Sequence, residues 1–342
     1  MGGARPIPLS VGSTATGGGA GGDNSGAPPS EEDNCGSQTE NTKHQLVDIL
    51  LVLDRSGSML FNISEDCWCD QATATAQRAL GNNYPVCSNT ANCSTRWANV
   101  SAGIDATVSA TPYLQWGLKF FATPGQNECG VSSGVEVSIP NGTASSIRDK
   151  ITSTTPGNHT PTAAGITAAT AYLNGLSDGN PKVILLATDG EPNCANNGKD
   201  ENTKDPDGTK KAIDAAFKAG IKTYVIGIGP STGNLDDFAA AGQTDKHFPA
   251  TSPQALNDAL NAIGAAVISC SFTLSNTPAD MNTVAVYVNK NLVEKDDTDG
   301  WSFGPDMKTI ELNGATCEKI KTERASAVQL LFGCKVPPKW IP

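Results

Sequence analysis

Short apolar runs that end in polar loops recur along the middle of the chain. The first run, residues 47–53, leads into the loop Asp-Arg-Ser-Gly-Ser at residues 54–58. A second run, residues 182–187, ends in the same way at Asp189. Continuous apolar runs of this length, rich in branched residues, are typical of strands buried on both faces of a parallel sheet. We therefore predict two central strands here.

Apolar residues at helical spacing follow these strands. Trp97, Val100, Ile104 and Val108 are three and four residues apart and predict a helix that begins near residue 95. Strands that alternate with helices predict an α/β fold, with a Rossmann-like, mostly parallel sheet flanked by helices and ligands at the carboxyl ends of the strands. Further strands are predicted at residues 113–121, 134–139, 221–229 and 246–249, and further helices after residue 160 and at residues 210–219, 235–241 and 253–267.

The two ends of the chain have a different pattern. Residues 1–44 are rich in Gly, Ser and Pro and predict a disordered linker, because they cannot bury enough apolar surface to offset the entropy of ordering. Beyond residue 269 the apolar residues alternate, which predicts a small β-rich domain at residues 270–342 with strands near 271–275, 283–288, 308–312 and 328–332. The α/β domain then spans residues 45–269, with a cysteine-rich insertion at residues 61–93.

Charge and cysteine content restrict the function and the compartment. A net charge of −11 argues against a nucleic-acid partner, and no apolar run is long enough for a transmembrane segment. Ten cysteines favour an oxidising compartment. We expect an extracytoplasmic protein, secreted or anchored at the cell surface or outer envelope. The first residues lack the pattern of a signal peptide, so we expect a native start or a lipid anchor upstream of residue 1.

The polar loop after the first strand carries candidate metal ligands. Asp54, Ser56 and Ser58 alternate, and Gly57 permits a tight turn in which alternate side chains converge. Hard oxygen donors that converge at the end of a strand are typical of a site for Mg²⁺ or a similar cation. A strand-ending turn followed by a helix cap is the simpler interpretation, because Asp and Ser are favoured in such turns anyway.

Three motifs in order resemble those of von Willebrand factor A domains with a metal-ion-dependent adhesion site. They are Asp-x-Ser-x-Ser at residues 54–58, Thr-Pro-Thr at residues 160–162 and Thr-Asp-Gly-Glu-Pro at residues 188–192. The resemblance implies a site made of Asp54, Ser56, Ser58, Thr160 and Asp189. It also implies Mg²⁺ as the cation, with Mn²⁺ or Ca²⁺ as substitutes, and an Asp or Glu of a protein partner that completes the coordination. A helix cap at Thr160, with Pro161 as the first helical residue, is compatible with that role.

From this resemblance we expect metal-dependent protein binding or adhesion and no enzymatic activity. The chain as a whole is similar to bacterial secreted or surface lipoproteins of this class. One alternative is a structural envelope protein with a non-functional metal site. A weaker alternative is a serine hydrolase that uses His159 with a neighbouring Ser and Asp, although the Gly-x-Ser-x-Gly motif of hydrolases is missing around Ser56.

Most of the cysteines fall near the predicted metal site. Six of them follow the ends of predicted strands, and we predict that they form disulfides that brace the rim of the binding face. The pairing stays open. A zinc site in residues 67–93 is the alternative, although its cysteine spacing departs from the usual knuckles. In the tail we expect one disulfide and one odd thiol, for which Cys35 is a candidate partner. The disulfide candidates are Cys67, Cys69, Cys87, Cys93, Cys129, Cys194, Cys270, Cys317 and Cys334.

Overall fold

Helices and strands alternate in the first part of the chain and short strands dominate the second. The computed structural model describes residues 40–42, 46–79, 82–111, 114–198, 200, 202–231, 233–267, 270–274, 281–322 and 328–331. The strands are β1 (Glu40–Thr42), β2 (Val47–Asp54), β3 (Leu114–Phe121), β4 (Val137–Gly142), β5 (Lys182–Thr188), β6 (Lys222–Ile228), β7 (Phe248–Ala250), β8 (Ser271–Thr273), β9 (Ala285–Val288), β10 (Asn291–Val293), β11 (Trp301–Phe303), β12 (Thr309–Leu312) and β13 (Val328–Leu331). The α-helices are α1 (Gln71–Arg78), α2 (Arg96–Ala110), α3 (Ala144–Thr152), α4 (Thr162–Asn174), α5 (Ala195–Gly198), α6 (Pro206–Lys218), α7 (Leu235–Ala241), α8 (Pro253–Val267) and α9 (Gly314–Thr322).

A six-stranded sheet with the order β4-β3-β2-β5-β6-β7 lies at the centre of the fold. Its strands are parallel except for β4, which runs antiparallel to β3. All eight residues of β2 are buried. Ile49 and Leu51 belong to the core on one face and Leu50 and Val52 to the core on the other, as the alternation of side chains along a strand requires. The predicted Rossmann-like α/β fold is confirmed.

Helices cover both faces of this sheet. On one face α2 contributes Trp97, Val100, Ile104 and Val108 to the core. This helix begins where the sequence predicts, because the Thr95 hydroxyl accepts a hydrogen bond from the Ala98 N–H at 3.2 Å and so satisfies an unpaired amide of the first turn. On the other face α4 packs through Ile166, Ala169 and Leu173.

The cysteine-rich insertion contains a helix that the sequence pattern did not indicate. In α1 only Ala74 is buried, so no apolar stripe marks the helix. Its start is defined instead by Asp70, whose Oδ1 accepts a hydrogen bond from the Thr73 N–H at 2.7 Å. The insertion has a small core of its own, in which the rings of Phe61 and Trp68 lie 4.3 Å apart.

The chain beyond α8 forms two small antiparallel sheets, with the orders β1-β13-β9-β10 and β11-β12-β8. They share an apolar core that includes Phe272, Val286 and Ile310, and this confirms the predicted β-rich region. Strand β1 belongs to the segment that composition assigns to the linker, yet it pairs with β13. The three domain boundaries stay predictions. Among the described residues, no helix is long and apolar enough to cross a membrane.

Four disulfides join eight of the nine candidate cysteines. Three of them lie at the carboxyl edge of the central sheet, as predicted, and one lies in the β-rich region. The sulfurs of Cys69, Cys87 and Cys93 lie within 4.8 Å of one another, but all four cysteines of the zinc alternative are bonded in pairs and are not free as thiolate ligands, so the structure favours the disulfides. Cys35 and Cys334 lie outside the described residues. The pairs are Cys67–Cys87, Cys69–Cys93, Cys129–Cys194 and Cys270–Cys317.

Alkylation of the unreduced, denatured protein should label Cys35 and Cys334 at most. Peptide mapping by mass spectrometry should then recover the four pairs above, including the crossed pairs of the insertion. Labelling of any of the eight paired cysteines would contradict the pairing. Reduction before alkylation is the control and should expose all ten cysteines.

Replacing Gly165 by Val should destabilise the α/β domain, because α4 lies directly against β3 at this position. A Cβ atom on Gly165 would lie 3.0 Å from the Cβ of Phe121, so a larger side chain must push the helix away from the sheet. We expect a loss of about 2 kcal/mol or more in the free energy of unfolding, measured with urea. Ala164→Val, at a partly exposed position of the same helix, is the control and should cost roughly 0.5 kcal/mol.

Candidate metal-binding site

The two predicted acidic ligands meet at the carboxyl edge of the sheet. Strand β2 ends at Asp54, and Asp189 directly follows β5. The two strands are parallel neighbours, with Leu53 opposite Ala187, so Asp54 is level with Thr188 and Asp189 follows one residue further on at the same edge. Asp54 is fully buried and Asp189 is 2% exposed. Sheet topology alone therefore brings together two acids that are far apart in the sequence.

One backbone amide and several hydroxyl groups link the two carboxylates into one network. The Ser56 N–H donates to Asp54 Oδ1 at 2.8 Å and the Thr188 hydroxyl donates to Asp54 Oδ2 at 2.6 Å. The hydroxyls of Ser56 and Ser58 lie 3.1 Å apart, and Ser58 donates to Asp189 Oδ1 at 2.9 Å. Four of the five predicted ligand residues thus form one hydrogen-bonded cluster.

Thr160 is connected to this cluster through the backbone. Its loop bonds to the first motif, where the Gly157 N–H donates to the Arg55 carbonyl at 2.7 Å. It also bonds to the loop after Asp189, because the Thr160 N–H donates to Asn193 Oδ1 at 2.7 Å. Thr160 itself is 8% exposed. All three motifs therefore meet at one edge.

The predicted helix cap at Thr160 is wrong by one residue. Helix α4 begins at Thr162, and Pro161 takes the cap position without a side-chain cap bond. The Thr160 carbonyl accepts hydrogen bonds from the backbone N–H groups of Thr162 and Asn193. Capping of the helix therefore does not explain the Thr at position 160.

The buried carboxylates carry an electrostatic cost. Burial, together with the nearby charge of Asp189, raises the pKa of Asp54 to about 7. Burial also raises the pKa of Asp189, against the opposing effects of Arg96 and of the Ser58 hydroxyl. The hydrogen bonds described to Asp54 come only from neutral donors. The neighbouring Arg55 interacts with its charge through space, while the Arg55 guanidinium donates to the backbone carbonyls of Ala122 and Thr155.

The donor set fits a hard cation. It consists of two carboxylates and three hydroxyls, the oxygen chemistry that Mg²⁺, Mn²⁺ and Ca²⁺ accept. A cation between the two acids would also neutralise the charge on Asp54. The five residues are therefore chemically suited to the cation that the sequence motifs imply.

Two charged residues at this site were missed by the sequence analysis. Arg96 Nη1 lies 2.7 Å from Asp189 Oδ2, and Arg96 Nη2 pairs with Asp66 Oδ1. Arg96 opens α2 and precedes the apolar stripe, so the pattern gives it no special place. Its burial, with 1% of its side chain exposed, is a consequence of tertiary structure. Asp66 lies in the insertion, where no periodicity pointed to it.

The arrangement around His159 does not match a hydrolase triad. His159 Nδ1 lies 3.3 Å from Asn193 Nδ2. The Ser56 hydroxyl lies against Ser58 instead of an imidazole. The triad needs an imidazole within hydrogen-bond reach of the nucleophilic Ser, and the described contacts of Ser56 and Ser58 include none; Ser58 donates to the Asp189 carboxylate instead.

Comparison with known proteins agrees with the fold. The sequence model of the family described as the von Willebrand factor type A domain matches residues 132–263. This stretch includes Thr160 and Asp189 and leaves out the loop of Asp54. No curated protein sequence matches the chain. The mostly parallel sheet flanked by helices is the fold expected of this domain.

Several solved structures share a distant likeness with the chain. The pilus adhesin SpaC from Lactobacillus rhamnosus GG is 17% identical at a TM-score of 0.45, over 84% of this chain and 39% of its own. The PilB minor pilin from Streptococcus sanguinis is 18% identical with a TM-score of 0.44, and the match covers 65% of this chain and 61% of the PilB chain. The conserved hypothetical protein BatB from Bacteroides thetaiotaomicron is 17% identical with a TM-score of 0.41, and the match covers 64% of this chain and 97% of the BatB chain. The chain thus spans about two fifths of the SpaC chain and three fifths of PilB. Within this chain, residues 132–263 are the part that matches a von Willebrand factor type A domain.

Proposed function

We propose that this chain binds a protein partner through a divalent cation held by Asp54, Ser56, Ser58, Thr160 and Asp189. The observation that carries the proposal is the hydrogen-bonded cluster in which Ser58 of the first motif donates to Asp189 of the third. Asp54 is fully buried and the hydrogen bonds described to it come from neutral donors, a cost that a cation bound beside it would offset. A structural turn alone would not require that cost.

The cation supplies an electrophilic centre for an oxygen ligand from outside the chain. Mg²⁺ suits a small cage of hydroxyl and carboxylate oxygens, and Mn²⁺ or Ca²⁺ could replace it. An Asp or Glu side chain of the partner is the ligand that we expect. This is binding chemistry, in which no covalent bond is made or broken, and we propose no enzymatic role.

The location we propose is outside the cytoplasm, either secreted or at the cell surface. Disulfides persist in oxidising compartments, and four join the described cysteines. A lipid anchor upstream of residue 1 would fit this location and belongs to the same proposal.

One observation favours the second candidate, a structural envelope protein with a non-functional metal site. The guanidinium of Arg96 already pairs with Asp189 at 2.7 Å. A permanent internal cation could make a metal ion unnecessary for the stability of this edge. The two candidates differ in whether the protein takes up a cation.

Calorimetric titration of the EDTA-treated chain with Mg²⁺, Mn²⁺ and Ca²⁺ tests the proposal directly. We expect one cation site in the wild type. Asp54→Ala should weaken it by more than the about 10–100-fold that loss of an outer-shell partner costs, because it removes a charged ligand. Asp214→Ala, which removes an exposed carboxylate paired with Lys218, is the control and should bind as the wild type does. If the wild type binds none of the three cations, the proposal is wrong.

The substitution Asp54→Asn should stabilise the protein when the cation is absent. Because the folded-state pKa of Asp54, about 7, lies above its ordinary 3.8, the folded state loses stability as the pH rises from about 4 through 7. At pH 8 in EDTA we expect the Asn variant to gain roughly 1 to 3 kcal/mol in the free energy of unfolding, measured with urea.

The same variant supplies its own controls. The gain should shrink at pH 5, where wild-type Asp54 is protonated. It should reverse in saturating Mg²⁺, which would stabilise the wild type alone. An Asn variant less stable than the wild type at pH 8 in EDTA would show that the charge on Asp54 does not destabilise the folded protein.

A further inference from the structure

The guanidinium of Arg96 is enclosed at the edge of the cluster formed by the predicted metal ligands. It bridges two carboxylates, with Nη1 on Asp189 Oδ2 at 2.7 Å and Nη2 on Asp66 Oδ1. Its Cζ lies 5.2 Å from the centre of the Phe61 ring, a distance typical of a cation–π contact. The charge is therefore held in place from three sides.

The end of β6 leaves room for this group. Gly229 has a φ of +93°, and a Cβ atom there would come within 2.6 Å of Arg96 Nε. Any other residue would be strained at this φ and would also clash with the guanidinium. The backbone at the end of β6 can therefore lie this close to the Arg96 guanidinium only because residue 229 is glycine.

The two buried acids differ in their partners because of Arg96. Asp189 has both oxygens engaged, Oδ1 by the Ser58 hydroxyl and Oδ2 by the guanidinium. The hydrogen bonds described to Asp54 come from the Ser56 amide and the Thr188 hydroxyl. One predicted metal ligand therefore already carries a positive counter-charge within the chain.

We propose that Arg96 is a tethered cation that competes with the metal ion for Asp189 and thereby lowers the affinity of the site. This inference rests on the proposed metal-binding function. A metal ion between the two acids must either displace the guanidinium from Asp189 or share that carboxylate with it, and like charges at such distances repel each other.

Asp66 makes the competition reversible. When the guanidinium leaves Asp189, Asp66 still holds its other nitrogen, so Arg96 does not become an unpaired buried charge. Asp66 is itself fixed, because its Oδ2 accepts a hydrogen bond from the Ser231 hydroxyl at 2.6 Å. An acid in the disulfide-bonded insertion thus sets how strongly Arg96 holds Asp189.

A cleft gives the guanidinium and two of the predicted metal ligands, Ser58 and Asp189, a common opening to solvent. It has a volume of about 460 Å³ and its lining includes Ser58, Asp66, Arg96 and Asp189. Glu191, which pairs with the exposed Lys204, lines the same cleft. A cation entering here meets Arg96 and Asp189 together.

Calorimetric titration of the full, EDTA-treated chain with Mg²⁺ tests this proposal through the sign of an affinity change. Arg96→Met should bind Mg²⁺ about tenfold or more tightly than the wild type, because a charge-assisted hydrogen bond no longer opposes the metal. If Arg96 only supported the fold, its loss would weaken binding. Lys204→Met removes an exposed positive charge that pairs with Glu191 of the cleft and touches no predicted ligand, and it should change the affinity less than about twofold.

A second variant, Asp66→Asn, keeps Arg96 and should act in the opposite direction. Without the Asp66 charge the guanidinium should pair more strongly with Asp189, and Mg²⁺ binding should weaken about threefold or more. Near-UV circular dichroism shows whether each variant is folded. If Arg96→Met does not fold, Asp66→Asn decides, and unchanged or tighter binding by it would overturn the proposal.

The outcomes separate this proposal from the proposed function. If the wild type binds Mg²⁺ and a folded Arg96→Met binds it equally well or more weakly, the proposed role of Arg96 is overturned and the metal-binding proposal is not affected. Binding by Arg96→Met alone supports the competition and rejects a working metal site in the wild type. Absence of binding in both overturns both proposals.

Discussion

Two carboxylates buried side by side are the constraint on which the carboxyl edge of the sheet depends. Asp54 and Asp189 are withdrawn from water and lie at the ends of neighbouring strands, where each charge raises the cost of the other. The groups around them lower this cost in part, through the hydroxyls of Ser58 and Thr188 and the guanidinium of Arg96. A site with this charge balance is suited to take up a cation.

The rest of the fold keeps this edge in place. The central strands are anchored by apolar side chains on both faces, so their ends cannot move apart without disturbing the core. Disulfides brace the loops that follow. Cys129–Cys194 ties the loop after β3 to the loop after Asp189, and two further disulfides hold the insertion. Loops held on a rigid scaffold in this way are where binding specificity usually lies.

Arg96 gives the two candidate functions a common physical basis. A guanidinium and a metal ion are alternative sources of positive charge for Asp189. If the guanidinium prevails, the edge is a closed structural network. If the metal ion prevails, the same residues form a binding site, with Arg96 retained by Asp66. The balance lies in one ion pair between α2 and the loop after β5, and the insertion contributes to it through a single acid.

The sequence by itself determined the α/β fold, the central strands and the cluster of acids and hydroxyls at their ends. These follow from local patterns, because an apolar run predicts a buried strand and parallel strands carry their polar ends to one edge. The proximity of Ser58 and Asp189 could be predicted in this way.

Only the tertiary structure decided which distant groups meet. The cysteine spacing left the disulfide pairing open, helix α1 has no apolar stripe, and β1 lies in a segment with the composition of a linker. Arg96 lies 93 residues from Asp189 and 30 from Asp66. Its burial depends on Gly229 at the end of another strand. Periodicity records what one element buries, whereas an ion pair between separate elements has no local pattern.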